Sequence, residues 1–461
     1  MEKELPHEFM AMLCDAVGTE AAGALSRSLA QDAPTLSVRI NSAKGATAPC
    51  GAETVAWEER GFYIGERPLF AADPAWHQGV YYVQDASSMA VGTLAAHLAS
   101  RFFAPDATLC YLDACAAPGG KTIGAIDALG QRAFVLANEA DRRRASVLAE
   151  NIAKHGSPDV AVACGPAQRL GALTETFDII AADAPCSGEG MMRKEPEAVA
   201  QWTPGLVDSC AALQKDIVES LWPALKPGGI FIYSTCTFNR HEDEEVVRHI
   251  IDITGAELID IDAQLFPGAT KGEYGLRFLP GTVKGEGLFM AALRKPVGET
   301  RARRSAILPK ATPGMAEFAR MALSNPDDFT ISANSAIRTV HSDAAARIST
   351  VKGLMRIGLP LGELKGKAIV PSHELALSTV LNPDAFAAIE LSYPAAMAYL
   401  RGEAMPDIPD GTPKGFITPL WQGLPLGFAK NIGRRANNLY PDAIRLRLQP
   451  SQLPPSPPKI L

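Results

Sequence analysis

Two cysteines and one aspartate carry the reactive side-chain types of this chain at positions where they could act together. Cys236 lies in residues 230–239, IFIYSTCTFN, behind the turn signal Lys226-Pro227-Gly228-Gly229. The apolar run predicts a buried strand that delivers Cys236 to its carboxyl end. Cys186 stands similarly in residues 177–188, FDIIAADAPCSG, where an apolar strand ends at Asp183 and turns through Pro185. Ligands of open α/β sheets sit beyond the carboxyl ends of the strands. Two thiols and one carboxylate are therefore expected on one rim. A single free cysteine is most often inert packing, but both of these follow the polar ends of apolar runs. The chemistry they could perform is that of reactive thiols.

A third motif, residues 112–122, LDACAAPGGKT, predicts a cofactor loop. Gly120-Lys121-Thr122 matches the end of a P-loop, but the first glycine of that motif would fall at Cys115, and the fingerprint G-x-G-x-x-G is also absent. What remains is a strand, a loop of small residues and a helix start, which lets a ligand approach backbone N–H groups. Glu139 follows about 20 residues after Gly119, at the end of the next strand, where an acid accepts hydrogen bonds from ribose hydroxyls. Loop and acid together predict an adenosine-type cofactor.

These groups need a sheet to position them. From Tyr81 to about Lys295 strands alternate with helices: strands over 108–113, 133–138, 160–164 and 177–182, and helices from Thr122, over 141–155, from about Pro204 and over 242–251. Such alternation predicts an α/β, mostly parallel, doubly wound sheet. Asp85 and its neighbours could cap a helix through Met89 and Leu94. Residues 1–80 combine an amphipathic helical start with a short strand on which Arg39 and Asn41 share one face. Residues 296–313 read as a basic linker, 314–405 as a mixed region, 406–448 as short strands suggesting a small barrel, and 449–461, with five prolines, as an extended or disordered tail.

Composition bounds the rest. At 461 residues the chain is long for one domain, and its net charge of −7 argues against sequence-blind coating of nucleic acid. Basic residues are nonetheless clustered in 294–310 and again from Gly411 onward, where Lys414, Lys430, Arg434, Arg435, Arg445, Arg447 and Lys459 face only Asp442. Local basic zones on an acidic body suit selective RNA contact. The eight cysteines form no C-x-x-C pair, so neither a disulfide framework nor a metal site is expected. No signal segment and no apolar run of about 18 residues is present, which predicts a cytoplasmic protein.

In this order QDASS, LDACAAPGGKT, ANE, DAPCSGEG and YSTCT resemble the RNA cytosine-C5 methyltransferases of the NOL1/NOP2/Sun (RsmB/RsmF-type) family, over roughly residues 36–295. GLPLGELKGK, AYLRGE and GFITPLWQGLPLGFAK further resemble the bacterial branch that methylates small-subunit ribosomal RNA and ends in a PUA-like domain. The resemblance implies a Rossmann-like S-adenosylmethionine-dependent core (81–295) between an N-terminal α+β RNA-binding region (1–80) and a PUA-like barrel. It makes Cys236 the nucleophile that adds to cytosine C6 and Cys186 the helper in product release. Asp183 would contact the base, with Lys121 beside it. Cys115, Ala116, Ala117, Pro118, Gly119, Gly120 and Lys121 would hold the methionine part of the cofactor, Glu139 its ribose, with Asp183 adjoining. Arg39 and Asn41 match a recurrent R-x-N strand assigned to RNA contact. Arg193 and Lys194, and Lys430, Arg434 and Arg435 in the tail, are further candidates for phosphates. Where relatives place an Asp for the adenine amino group this chain has Pro166, so Gln168 or backbone groups are expected to substitute. The rival readings are a transfer-RNA or DNA cytosine methyltransferase and a non-catalytic RNA-binding assembly factor.

Overall fold

The computed structural model describes residues 5–299, 306–366, 368–406 and 408–460. Arg301, Arg303 and Arg304 of the basic linker lie outside the described residues. Helices α1 (His7–Val17) and α2 (Thr19–Gln31) bury Phe9, Leu13, Leu25 and Leu29. Strands β1 (Ser37–Ile40), β2 (Thr54–Val55), β3 (Glu58–Tyr63) and β4 (Tyr81–Val83) form an antiparallel sheet in the order β2-β3-β1-β4, with the short helix α3 (Pro74–His77) leading into β4.

The central sheet is built as the alternation predicts. Helix α4 (Ala86–Phe102) starts at Asp85, whose carboxylate accepts from the Ser88 N–H at 3.0 Å. There follow β5 (Leu109–Asp113), α5 (Gly120–Leu129), β6 (Ala133–Glu139), α6 (Arg142–His155), β7 (Val160–Cys164) and β8 (Phe177–Asp183). Helices α7 (Pro196–Gln201) and α8 (Pro204–Leu221), strand β9 (Leu225–Thr235) and helix α9 (Glu244–Thr254) complete the core. The parallel strands lie in the order β9-β8-β5-β6-β7. The chain runs outward from β5 through β6 to β7 and then returns to β8 on the other side of β5. That reversal opens a crevice at the carboxyl ends of β5 and β8, where a doubly wound sheet binds its ligand. Leu94, Ile123 and Leu148 pack one face of the sheet, and Ile217, Leu221 and Val247 the other. Strand Leu288–Arg294 extends the β9 side antiparallel, with Leu276–Phe278 beyond it.

Three expectations change. The region 314–405 does not stand apart: Leu354–Ile357 pairs antiparallel with β7, and Ala345 and Ile348 of helix Ser342–Ile348 are buried in the same layer as α8. This covers the open edge of β7, which would otherwise present unpaired N–H and C=O groups. The C-terminal sheet also begins before residue 406, because Ala387–Glu390 pairs parallel with Gly415–Trp421; Ala429–Asn431 and Ala436–Asn438 extend it antiparallel. Finally, the proline-rich tail is docked rather than disordered. Ile460 is buried with Val38, Phe62 and Tyr81 of the N-terminal sheet. No described helix is long and apolar enough to cross a membrane.

Candidate active site

The Cys186 and Cys236 sulfurs lie 3.0 Å apart, both half-buried, beyond the ends of β8 and β9. The Cys186 thiol is raised well above its usual range, first by its hydrogen bond to Cys236, then by burial and by the charges of Cys236 and Glu242. Cys186 therefore holds its proton. Behind the pair, Asp183 at the end of β8 accepts from Lys121 Nζ at 2.8 Å and from Ser234 Oγ at 2.9 Å. Burial opposes the charge of Lys121, but Asp183, Cys236 and Asp113 outweigh it and hold its pKa above the usual value.

The cofactor loop is built from its backbone. Gly119 adopts φ +113°, and a Cβ there would lie 3.1 Å from Leu148 Cδ1, so the turn into α5 requires glycine. Asp113 accepts from Thr122 Oγ1 at 2.6 Å, and burial pushes its carboxyl up to about 7. Asn138 Nδ2 donates to the carbonyls of Ala114 and Gly165, both at 3.0 Å, tying the ends of β5, β6 and β7 together. Glu139 accepts from the Asp141 N–H at 3.0 Å and pairs with Arg144 at 3.4 Å, while Arg144 also donates to the Ala117 carbonyl at 2.9 Å. Burial and the nearby carboxylates push the Cys115 thiol up, which leaves it without a nucleophile's character. A cavity of about 680 Å³ opens beside Asn138, Gly165 and Pro166, with Thr350, Val351 and Lys352 also lining it. Gln168 lines it too, although its amide nitrogen donates to Asp216 of α8 at 2.9 Å.

Comparison with known proteins decides the family. The model described as 16S rRNA methyltransferase RsmB/F matches residues 101–294. Those described as the N-terminal domain of 16S rRNA methyltransferase RsmF and the methyltransferase RsmF PUA domain match 5–86 and 386–446. Ribosomal RNA small subunit methyltransferase F of Serratia proteamaculans is 32% identical over 417 residues, 84% of each chain. The protein of that name from Escherichia coli O81 is 33% identical over 441 residues, 88% of this chain and 89% of its own. This chain belongs to the RsmB/F family. Among solved structures, the NSun6 of Pyrococcus horikoshii crystallised with SFG superimposes with a TM-score of 0.52 at 19% identity, over 64% of this chain and 100% of that one. A methyltransferase homologue of the same organism gives 0.51 at 24%, over 62% and 93%. Both likenesses concern the fold.

Not every residue expected of an RsmB/F enzyme faces a ligand. Arg39 is 1% exposed; it pairs with Glu58 at 2.7 Å and Asp127 at 3.6 Å and donates to Gln84 Oε1 at 3.0 Å. Asn41 is buried and donates to the carbonyls of Gly79 and His155, both at 3.0 Å. The R-x-N pair thus bolts the N-terminal sheet to α5 and α6, and the expected RNA contact at these two positions is corrected. The same holds for Arg193, buried against Glu286 at 2.9 Å and the Gly285 carbonyl at 2.8 Å. Lys194 is exposed and 3.4 Å from Glu286. Lys430, Arg434 and Arg435 are all exposed.

Ser234, Glu189 and Glu242 also hydrogen-bond at the thiol loops, and the motifs did not single them out. Ser234 had a usable signal, since a strand places it on the same face as Cys236. Glu189 and Glu242 had none, because each works by reaching across to the other thiol loop.

Proposed function

We propose that this enzyme, in the cytoplasm, transfers a methyl group from S-adenosylmethionine to C5 of a cytosine in small-subunit ribosomal RNA, through a covalent adduct between Cys236 and C6. The observation that carries the reading is the 3.0 Å pair of thiols backed by Lys121 and Asp183. The donor set fits the cofactor. The amino end of α5 offers backbone N–H groups to a carboxylate, and Glu139 presents an acceptor for ribose hydroxyls. The cavity beside Gly165 and Pro166 has room for a purine. Residues 115–121 and Glu139 would hold S-adenosylmethionine, which supplies an electrophilic methyl group when bound.

The chain's own residues do the rest. The Cys236 thiolate adds to C6 and makes C5 electron-rich. Asp183, held by Lys121 and Ser234, accepts from the exocyclic amino group of the base, and the lysine offsets negative charge that develops on the ring. Once C5 carries the methyl group, its remaining proton must leave so that the ring double bond re-forms and Cys236 is expelled. Cys186 is the base at hand. Its proton is held first of all by Cys236, and that hold disappears when the Cys236 sulfur is bonded to carbon. Burial and Glu242 still favour the thiol, so Cys186 must first pass its own proton to solvent, and the thiolate left behind then accepts the C5 proton. The target base must be unstacked to reach this rim.

The test is transfer of tritium from labelled S-adenosylmethionine to purified small subunits and to their naked RNA, with mapping of 5-methylcytosine. Label at one cytosine is expected. Transfer to transfer RNA alone would move the substrate, and cofactor binding without transfer to any RNA would overturn the enzymatic reading.

A further inference from the structure

The two thiol loops are held together by a pair of fully buried carboxylates that each reach across to the other loop. Glu189, on the Cys186 loop, accepts from the Phe238 N–H at 2.7 Å and from Asn239 Nδ2 at 2.9 Å, both on the Cys236 loop. Trp202 Nε1 adds a third donor at 3.0 Å. Glu242, beyond Cys236, accepts in turn from the N–H of Ser187 at 2.9 Å and from its hydroxyl, both on the Cys186 loop. Gln214 of α8 donates to Glu242 at 2.8 Å, and Asn239 Nδ2 bridges to it at 2.9 Å. The loops also touch directly. The Gly190 N–H donates to the Cys236 carbonyl at 2.6 Å, and a Cβ at 190 would lie 2.7 Å from that oxygen and 3.3 Å from Cys236 Cβ.

Two neighbouring carboxylates at 0% exposure are an expensive way to join two loops. Burial and the charge of Glu242 push Glu189 up to about 7, while the Phe238, Asn239 and Trp202 donors pull the other way. Neutral packing would hold the loops at lower cost. What carboxylates add is direction, because each oxygen is fixed by donors on the opposite loop. The release step needs that direction: Cys186 must meet a hydrogen on a ring anchored to Cys236, and a misplacement of about 1 Å can cost roughly a hundredfold in rate.

We propose that Glu189 and Glu242 form a crossed clamp that sets the Cys186 sulfur against the Cys236 sulfur, with Glu189 a positioning residue for product release. The role in release rests on the covalent-adduct reading above. Neither carboxylate touches the substrate.

Glu189→Gln puts an amide N–H toward one of three donors and loosens the clamp. The first measurement needs no RNA. The free enzyme is treated with a small aromatic disulfide: one cysteine thiolate displaces an aromatic thiol, and the second cysteine, losing its proton, displaces the other and closes a Cys186–Cys236 bond. Peptide mapping follows closure. We expect it to slow by about tenfold or more in the variant, with doubly labelled protein accumulating instead. The second measurement uses RNA: the covalent complex should persist, and kcat and KM should fall together by about tenfold, leaving kcat/KM unchanged. Wild-type closure in folded Glu189→Gln overturns the clamp, as does a parallel loss of adduct formation and release. If wild-type enzyme traps no RNA while closure still slows in the variant, the clamp stands and the adduct reading fails. Should Glu189→Gln not fold, Ser187→Ala cuts one tie of Glu242. It is expected to slow closure about threefold, and unchanged closure there would overturn the proposal.

Discussion

Arg39→Ala separates a structural cation from an RNA-binding one. The guanidinium is 1% exposed and has three partners: Glu58 at 2.7 Å, Gln84 at 3.0 Å and Asp127 at 3.6 Å. Removing one member of a buried ion pair costs roughly 3–5 kcal/mol, because the partner keeps its desolvation penalty without its counter-charge. Asp127 retains His155 at 2.9 Å, and among the described residues Glu58 retains the Arg60 N–H at 3.2 Å. The loss is therefore placed at about 3 kcal/mol, a more than hundredfold shift in the folding equilibrium, and falls mainly on Glu58. Urea unfolding followed by tryptophan fluorescence should show a lower midpoint with an unchanged slope. The double variant Arg39→Met with Glu58→Gln should recover about half of the loss, since it removes both charges. Under conditions where Arg39→Ala is folded, its RNA affinity should show the wild-type salt dependence. A cation on a single-stranded phosphate contributes about 0.7 to that log–log slope. A variant of unchanged stability with a shallower slope would refute the structural role and restore Arg39 to the RNA surface.

Three further outcomes are expected. Cys236→Ala should lose both turnover and covalent trapping of RNA, whereas Cys186→Ala should keep a covalent complex that is released slowly; the reverse pattern, read on denaturing gels, would exchange the two roles. Replacing Lys430, Arg434 and Arg435 together by alanine should weaken RNA binding and flatten its salt dependence by about 2 for three contacts; unchanged affinity of the folded triple variant would remove this surface from the RNA path. Asp113 binds its proton more tightly folded than unfolded, with a folded value of about 7 against 3.8. Its contribution to stability is thus present at low pH and is lost as pH rises from about 4 through 7, by up to about 1.4 kcal/mol per pH unit. Asp113→Asn should flatten the fall of urea stability over that window, and an unchanged profile would show that Asp113 is ionised throughout.

The parts of the fold that were legible in the sequence are those fixed by neighbours along the chain. Strands β5 to β9 show as apolar runs ended by turn residues, and α6 shows as a 3.6-residue stripe stopped by Gly156. The cofactor loop was legible because its chemistry is backbone chemistry, written in small residues. Long-range pairing was not. Nothing local in residues 354–357 announces that they will close the edge of β7, some 190 residues earlier in the chain. Nor does the composition of the tail show that Ile460 will pack with Val38 and Tyr81. The glutamates that cross between the thiol loops escaped for the same reason, since each is defined by donors on the opposite loop.

The same limit explains why RNA contact was misassigned to Arg39, Asn41 and Arg193. A count of basic residues cannot tell a cation facing phosphate from one facing a buried carboxylate, and the difference lies in partners such as Glu58, Asp127 and Glu286. Once these are assigned, the three residues belong to the joints of the molecule: Arg39 and Asn41 between the N-terminal sheet and α5–α6, Arg193 between the Cys186 loop and Glu286. Of the sequence-based candidates for RNA contact, Lys194, Lys430, Arg434 and Arg435 remain exposed, Lys430 on a strand of the C-terminal sheet and Arg434 and Arg435 in the turn that follows it. An acidic chain of net charge −7 thus keeps its exposed RNA-contact candidates largely at one end. Local basic groups on an acidic body favour contact at chosen phosphates over coating the substrate throughout.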